Sequence, residues 1–261
     1  VHLRDRPHQE SRSRDQMKVI LLCAGYATRL YPLTENQPKP LLPVGGRPIL
    51  EWILDRVGKV SGIEAVYIVS NAKFAGHFAA WAASAKYPWP VEVVDDGTSS
   101  NETRLGAIGD LAYTIRAKAL RPDDLMIIAG DNFFDFDLTA LTDYGGKVRP
   151  HGLIAVYDVG DRELAKRYGL VRTSEDGKVL EFQEKPPEPK TTLASCGIYW
   201  LPKEIWGLLD TYIKGGHNTD QPGHYMRWLA EISGLYAFPL KGKWLDIGDI
   251  ASYQKANAIV G

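Results

Sequence analysis

Residues 22–43 read Leu22-Cys23-Ala24-Gly25-Tyr26-Ala27-Thr28-Arg29-Leu30-Tyr31-Pro32-Leu33-Thr34-Glu35-Asn36-Gln37-Pro38-Lys39-Pro40-Leu41-Leu42-Pro43. They follow Val19-Ile20-Leu21-Leu22, an unbroken apolar run of the kind found in parallel strands covered on both faces. In open α/β sheets the crevice beyond the carboxyl ends of such strands receives the ligand, and a small-residue loop there lets backbone N–H groups approach phosphate oxygens. Arg29 and Lys39 place fixed positive charge in the same loop, as a nucleoside triphosphate requires. Pro32, Pro38, Pro40 and Pro43 restrict φ, so Lys39 rides on a stiff segment. A plain strand-to-helix connection is a few residues long, and loops beyond about 12 residues are usually functional.

Working outward, the chain alternates between two periodicities. Helical spacing runs from Pro48 through Ile49, Trp52, Ile53, Arg56 and Val57 to Val60, and strand-like Ala65–Val69 follows. An alanine-rich helix over 73–85, a strand over Val91–Val94, a helix over Leu105–Lys118 and a strand over Leu125–Ala129 continue the pattern. Such alternation predicts βαβ units and a mostly parallel sheet with helices on both faces. From His151 the pattern changes to strand-like Gly152–Tyr157, Gly169–Thr173, Val179–Gln183 and Ala194–Trp200, a mixed extension expected to cover the substrate. Helices are predicted over Leu201–Leu209, Pro222–Ile232 and Ile250–Val260. No internal repeat is present, and in particular no hexapeptide repeat of a β-helical domain.

The bulk numbers narrow the function classes. Among 261 residues, 31 Lys and Arg face 32 Asp and Glu for a formal charge of −1, which gives no basis for a nucleic-acid surface or a polybasic membrane patch. No apolar run reaches the roughly 18 residues of a spanning helix, so no membrane partner and a cytoplasmic location are expected. Cys23 and Cys196 are expected to be reduced and packed. Residues 1–16 carry four arginines and no hydrophobic periodicity ahead of Met17. They are expected to be a disordered leader or an appended remnant, with the functional domain over 17–261.

Glycine, Thr-Arg, Pro-Leu-Thr, Pro-Lys-Pro and Leu-Leu-Pro-Val in that order resemble the signature of the sugar-phosphate nucleotidylyltransferases, the pyrophosphorylases that make nucleoside diphosphate sugars. The resemblance extends over most of residues 17–253 and is to the short single-domain type, similar to the glucose-1-phosphate thymidylyltransferases. It implies a Rossmann-like (GT-A-like) sheet of the nucleotide-diphospho-sugar transferase type. The implied reaction joins a nucleoside triphosphate and a sugar 1-phosphate by direct in-line attack, so no nucleophile-base pair is needed. The six histidines fit this, being scattered without triad or metal spacing. A homo-oligomer is compatible with the resemblance.

The candidate residues follow. Ala24, Gly25, Thr28 and Arg29 are expected at the nucleotide phosphates, with Arg29, Lys39 and Lys185 as the catalytic cations. Gly130-Asp131-Asn132 closes a buried strand, where an aspartate can hold Mg²⁺ together with phosphate oxygens and water. The resemblance supplies its partner, Asp246 in Trp244-Leu245-Asp246-Ile247-Gly248-Asp249, and implies Mg²⁺, with Mn²⁺ as the substitute; the alternative for Asp246 is a helix N-cap, a place that Asp249 before Ile250 could equally take. Asn132, Gly169, Glu184, Lys185 of a Glu-Lys-Pro element and Trp244 are implied at the sugar phosphate. The stretch Asp95–Ala107 stands where the family reads the base: Gly106 would approach the base edge, and Asn101 would either read it or cap the following helix. These two suggest a pyrimidine triphosphate. Three other readings compete: a glycosyltransferase using Asp135-Phe136-Asp137, a nucleotidyltransferase for another phosphorylated alcohol such as phosphocholine, and a catalytically silent nucleotide-sugar-binding regulatory subunit.

Overall fold

The computed structural model describes residues 16–261. Apart from Gln16, the expected leader lies outside the described residues. In chain order the strands and helices are β1 (Met17–Leu22), β2 (Pro43–Val44), β3 (Arg47–Pro48), α1 (Ile49–Val57), β4 (Ile63–Ser70), α2 (Ala75–Ser84), β5 (Val91–Asp95), α3 (Ala107–Ala117), β6 (Asp124–Ala129), β7 (Asn132–Phe134), α4 (Thr139–Val148), β8 (Gly152–Asp158), α5 (Arg162–Ala165), β9 (Gly169–Thr173), β10 (Val179–Glu184), β11 (Leu193–Leu201), α6 (Trp206–Lys214), α7 (Pro222–Ile232), β12 (Leu235–Pro239), β13 (Trp244–Asp246) and α8 (Ile250–Val260).

Among the described residues, nine strands form one sheet with the path β10-β9-β11-β6-β1-β4-β5, and β8 and β12 branch from β11. The pairs β6-β1, β1-β4 and β4-β5 are parallel, whereas β11 runs antiparallel to β6 and to β8. The expected parallel half and mixed extension are therefore both present. Burial on both faces explains the apolar run of β1: Val19 and Leu21 pack into one core with Ile53, Phe78 and Phe134, while Ile20 packs into the other with Tyr67, Ile108 and Met226.

Among the element boundaries that differ from expectation, two have a direct physical reason. Leu201 ends β11, and helix α6 begins only at Trp206 after Pro202 and a short 3₁₀ turn; proline's missing N–H and fixed φ hold that junction extended. Helix α3 starts at Ala107 rather than Leu105, because Gly106 takes φ +78° and lies so close to the backbone of Thr219 and Asp220 that a Cβ would meet the Asp220 Cα at 2.5 Å. Asn101 consequently does not cap α3.

A small two-stranded ribbon positions the site. Strand β13 pairs antiparallel with β7 in the register Trp244↔Phe134, Leu245↔Phe133 and Asp246↔Asn132. Asp131 immediately precedes β7, so the ribbon closes the long sequence gap between the two expected metal aspartates.

Candidate active site

Strand β1 delivers the loop that follows it to a fixed place. The Cys23 N–H donates to the Val69 carbonyl at 2.9 Å, the Asn71 side chain donates to the Ala24 carbonyl at 2.8 Å, and Thr34 Oγ1 donates to the Ala27 carbonyl at 2.8 Å. Ala27 itself takes φ +48°, a left-handed conformation costly for a residue with a Cβ and held here by its surroundings. Strand β6 ends beside this loop, and the Gly130 N–H donates to the Leu22 carbonyl at 3.0 Å. A side chain is excluded at 130, since a Cβ would lie 2.4 Å from Cys23 Sγ.

The two strand ends enclose a cavity of about 350 Å³ lined by Ala24, Gly25, Arg29, Lys39, Gly106 and Asp131 from the expected set. Lys39 is buried, 9% exposed, and donates through Nζ to Asp131 Oδ2 at 2.9 Å and to the Ile247 carbonyl at 2.6 Å. Asp246 lies against the same pair. Burial and then the charge of Asp131 push its carboxyl up to about 6, with Lys39 and Arg29 acting in the opposite direction. Lys39 thus holds Asp131 directly and acts on Asp246 through its charge, with the Arg29 guanidinium near enough to be felt.

Asn132 is 5% exposed and fully committed within the protein. Its amide donates to Asp131 Oδ1 at 3.1 Å, and its carbonyl oxygen accepts from Trp244 Nε1 at 3.2 Å. Trp244 is likewise buried, its ring tilted at 58° against that of Tyr168 with centroids 5.0 Å apart. Asn132 and Trp244, both expected at the sugar phosphate, tie the β7-β13 ribbon together, and Asn132 orients Asp131.

Glu184 sits between two glycines: a Cβ at Gly169 would lie 3.0 Å from its Oε2, and one at Gly223 2.4 Å. Lys185 follows with φ +45° and its N–H donating to the Tyr168 carbonyl at 3.0 Å. Its charge reaches Asp220, which lines the cavity. A second hollow of about 310 Å³ lies on the other side of Asp246, lined by Tyr157, Arg167, Tyr168, Trp244 and Asp249 among others.

Thr28 and Asn101 are not brought into the cavity; both are exposed outside its lining. Arg104, Asp110 and Asp220 line it instead. Arg104 holds Asp220 through Nε at 2.8 Å and Nη2 at 3.1 Å, a pairing across 116 positions that no single sequence signals. Asp110 is 6% exposed, and burial followed by the charge of Asp96 pushes its carboxyl up to about 8. Its position one turn into an apolar helix is the only local hint of a special role.

The remaining expected features find structural uses. Asp135 Oδ1 accepts from the Lys243 N–H at 2.6 Å and Asp137 Oδ1 from the Thr139 N–H at 2.8 Å, so the Asp-x-Asp triplet fastens the ribbon and starts α4. Asp249 forms a capping box with Ser252 at the start of α8. Cys23 and Cys196 are buried and free, as expected. No helix among the described residues is long and apolar enough to cross a membrane.

A sheet with this path carries a cationic loop at the end of β1, Asp131 after β6 and Asp246 on the ribbon strand β13, the layout of an α/β protein with its site at the strand ends. The chain belongs to the nucleotidyl transferase family, whose model matches residues 18–261. It is 30% identical over 235 residues to the bifunctional protein GlmU of Methanococcus aeolicus, with 89% of this chain and 51% of that protein covered. It is also 30% identical over 256 residues to glucose-1-phosphate adenylyltransferase of Bacillus cytotoxicus, covering 91% and 66% of the two. The chain thus spans about half the length of the GlmU protein it matches. A UDP-glucose pyrophosphorylase solved with UDP-glucose shares the fold, with a TM-score of 0.77 at 21% identity over 94% of this chain and 98% of that one.

Proposed function

We propose that this protein is a sugar-1-phosphate nucleotidylyltransferase, converting a nucleoside triphosphate and a sugar 1-phosphate into the nucleotide-linked sugar and pyrophosphate. The observation that carries the reading is the buried Lys39, bonded to Asp131 at the end of β6 inside a cavity that also presents Arg29 and the backbone of Ala24 and Gly25. Hydrolases and transferases that work through a covalent intermediate need an activated nucleophile, and the thiol at this strand end is the opposite of activated: burial pushes Cys23 far up. What the site offers is fixed charge around a phosphorus, and for phosphoryl chemistry that is the larger part of catalysis.

In this reading the Gly25 loop and Arg29 grip the triphosphate, with Arg29 and Lys39 countering charge as pyrophosphate departs. Asp131 and Asp246 fit a divalent cation: they are hard oxygen donors held side by side with more negative charge than Lys39 offsets, which is the situation the raised Asp246 carboxyl reports. Mg²⁺ or Mn²⁺ held there would supply the positive charge that polarises phosphate oxygens. Asn132 fixes the Asp131 carboxylate. On the far side, Glu184 accepts from acceptor hydroxyls in the notch left by Gly169 and Gly223, and Lys185 neutralises the acceptor phosphate so that two anions can meet.

The glycosyltransferase reading loses its triplet to backbone capping. A silent regulatory subunit would not need Arg29, Lys39, Asp131, Lys185 and Asp246 together. A second acceptor class is favoured by one observation, the hollow beside Asp246 lined by Tyr157, Tyr168 and Trp244, since aromatic faces beside acids suit an ammonium such as that of phosphocholine. Of the two residues that suggest a pyrimidine base, Gly106 lines the cavity and Asn101 lies outside its lining. The test is a matrix of five triphosphates against several sugar 1-phosphates and phosphocholine with Mg²⁺, reading the nucleotide-linked product by mass. Product from a sugar 1-phosphate supports the reading; product only from phosphocholine moves the protein to the second class; hydrolysis alone refutes both.

A further inference from the structure

We propose that Asp110, backed by Asp96, reads the base of the bound triphosphate and selects an amino-bearing base, adenine, guanine or cytosine, over uracil or thymine. The inference rests on the triphosphate occupying the cavity as set out above and concerns which triphosphate that is.

The cavity lining falls into two chemically different groups. One holds Arg29, Lys39 and Asp131; the other holds Arg104, Gly106, Asp110 and Asp220 around the start of α3. A triphosphate whose phosphates lie among the first group carries its base toward the second. There Arg104 spends three of its five N–H groups within the protein, Nε and Nη2 on Asp220 and Nη1 on the Asn101 carbonyl at 2.8 Å. The N–H groups of Ala107 and Ile108, which a helix start would otherwise offer, donate to the Asp220 and Thr219 carbonyls at 3.1 and 2.9 Å.

Asp110 differs from its neighbours in lacking a donor. Its Oδ1 is fully buried and finds no hydrogen-bond partner among the described residues, and the same is true of Asp96 Oδ2. Asp96 Oδ1 accepts from both the N–H and the hydroxyl of Thr98 at 2.7 Å, which marks Asp96 as the ionised member. Asp110 lies against Asp96, and burial together with that charge pushes its carboxyl up to about 8, so Asp110 is the member that takes a proton and turns it toward Asp96. Its other carboxyl oxygen, on the side that lines the cavity, is then a carbonyl-type acceptor. That oxygen accepts from an exocyclic amine. The pairing edge of uracil or thymine flanks its single N–H with two carbonyl oxygens; a carbonyl oxygen set against the Asp110 oxygen leaves both unpaired, and a site whose polar groups are left unpaired rejects the wrong partner strongly.

Direct binding separates this inference from the reading beneath it. Wild-type protein with Mg²⁺ is titrated calorimetrically with ATP, GTP, CTP, UTP and dTTP, and so are Asp110→Asn and Asp110→Ala, with a melting curve for each. The wild type is expected to bind at least one of ATP, GTP and CTP about tenfold or more tighter than UTP and dTTP. Asp110→Asn, whose NH₂ can donate to Asp96 while its carbonyl faces the base, keeps that ratio. Asp110→Ala brings the five to within about threefold of one another, chiefly by weakening the favoured ones. Tightest binding of UTP or dTTP overturns the inference and leaves nucleotidyl transfer standing, as does an unchanged ratio in folded Asp110→Ala or a lost ratio in folded Asp110→Asn. Failure of every triphosphate to bind overturns both.

Discussion

The two groups of residues that line the cavity handle charge in opposite ways. Around Asp131, the carboxylates of Asp131 and Asp246 face the buried ammonium of Lys39 and the guanidinium of Arg29, so the protein holds cations ready for an anionic ligand. Around Asp110, the arginine is spent on Asp220 and the acids face one another. In the proposed reading the first arrangement acts on phosphates, which every nucleoside triphosphate shares, and the second on what distinguishes one triphosphate from another. Rate and selectivity are therefore expected to be separable by substitution.

The largest expected effect lies in the first group. Lys39→Met or Arg29→Ala should remove about 2–4 kcal/mol of transition-state stabilisation, the scale of losing a preorganised charge partner, and should do so equally for every triphosphate. A change in the ranking of triphosphates in Lys39→Met, measured as kcat/KM, would break the separation.

Next comes Asp246, whose folded carboxyl titrates near 6 against an ordinary value of 3.8. Between those values the folded chain holds a proton that the unfolded chain has released, so the contribution of this group to stability is greatest below about pH 4 and falls as pH rises through 6. Asp246→Asn should accordingly stabilise the free protein at pH 7 by about 1–3 kcal/mol while abolishing turnover. Thermal melts at pH 4 and pH 7 check it: the gain should be present at 7 and fade at 4.

Asn132→Ala should cost about 1–3 kcal/mol of stability by orphaning Trp244 Nε1. Because Asp131 also loses its orienting amide, kcat should fall more than KM rises. An unchanged kcat would show that Asp131 is held well enough by Lys39 alone.

The smallest effect is expected at Asp137, which accepts from the Thr139 N–H and whose carboxyl is held low by that contact. Asp137→Ala should cost about 0.5–2 kcal/mol as a lost helix cap and leave kcat/KM untouched. Loss of activity there would revive a role for the Asp-x-Asp triplet in chemistry.

The phosphate group of residues was legible in the sequence because it is local: a strand, a glycine loop, Arg29 and Lys39 fall within twenty-one residues of one another. The sheet was legible for a similar reason, each parallel strand announcing itself as an apolar run. The selecting group was not legible. Asp110 stands inside a helical pattern that looks ordinary, and what makes it special is Asp96 on the β5 side and the Thr219–Asp220 backbone pressed against Gly106, contacts set by tertiary packing. Asn101 looked like the base reader because it is an amide near the right glycine, yet it points its neighbourhood to solvent. That Asn132 and Trp244 bond to each other was not legible either, since only the β7-β13 register brings them together.

The central claim is that the paired carboxylates and Lys39 serve to join two phosphates. Its most direct test is pyrophosphate release from the favoured triphosphate, measured with metal and acceptor phosphate both present and with each omitted in turn. The account expects stoichiometric release, matched by nucleotide-linked product, only in the complete mixture. Release at the same rate without the acceptor would contradict it and show that the cavity delivers water instead.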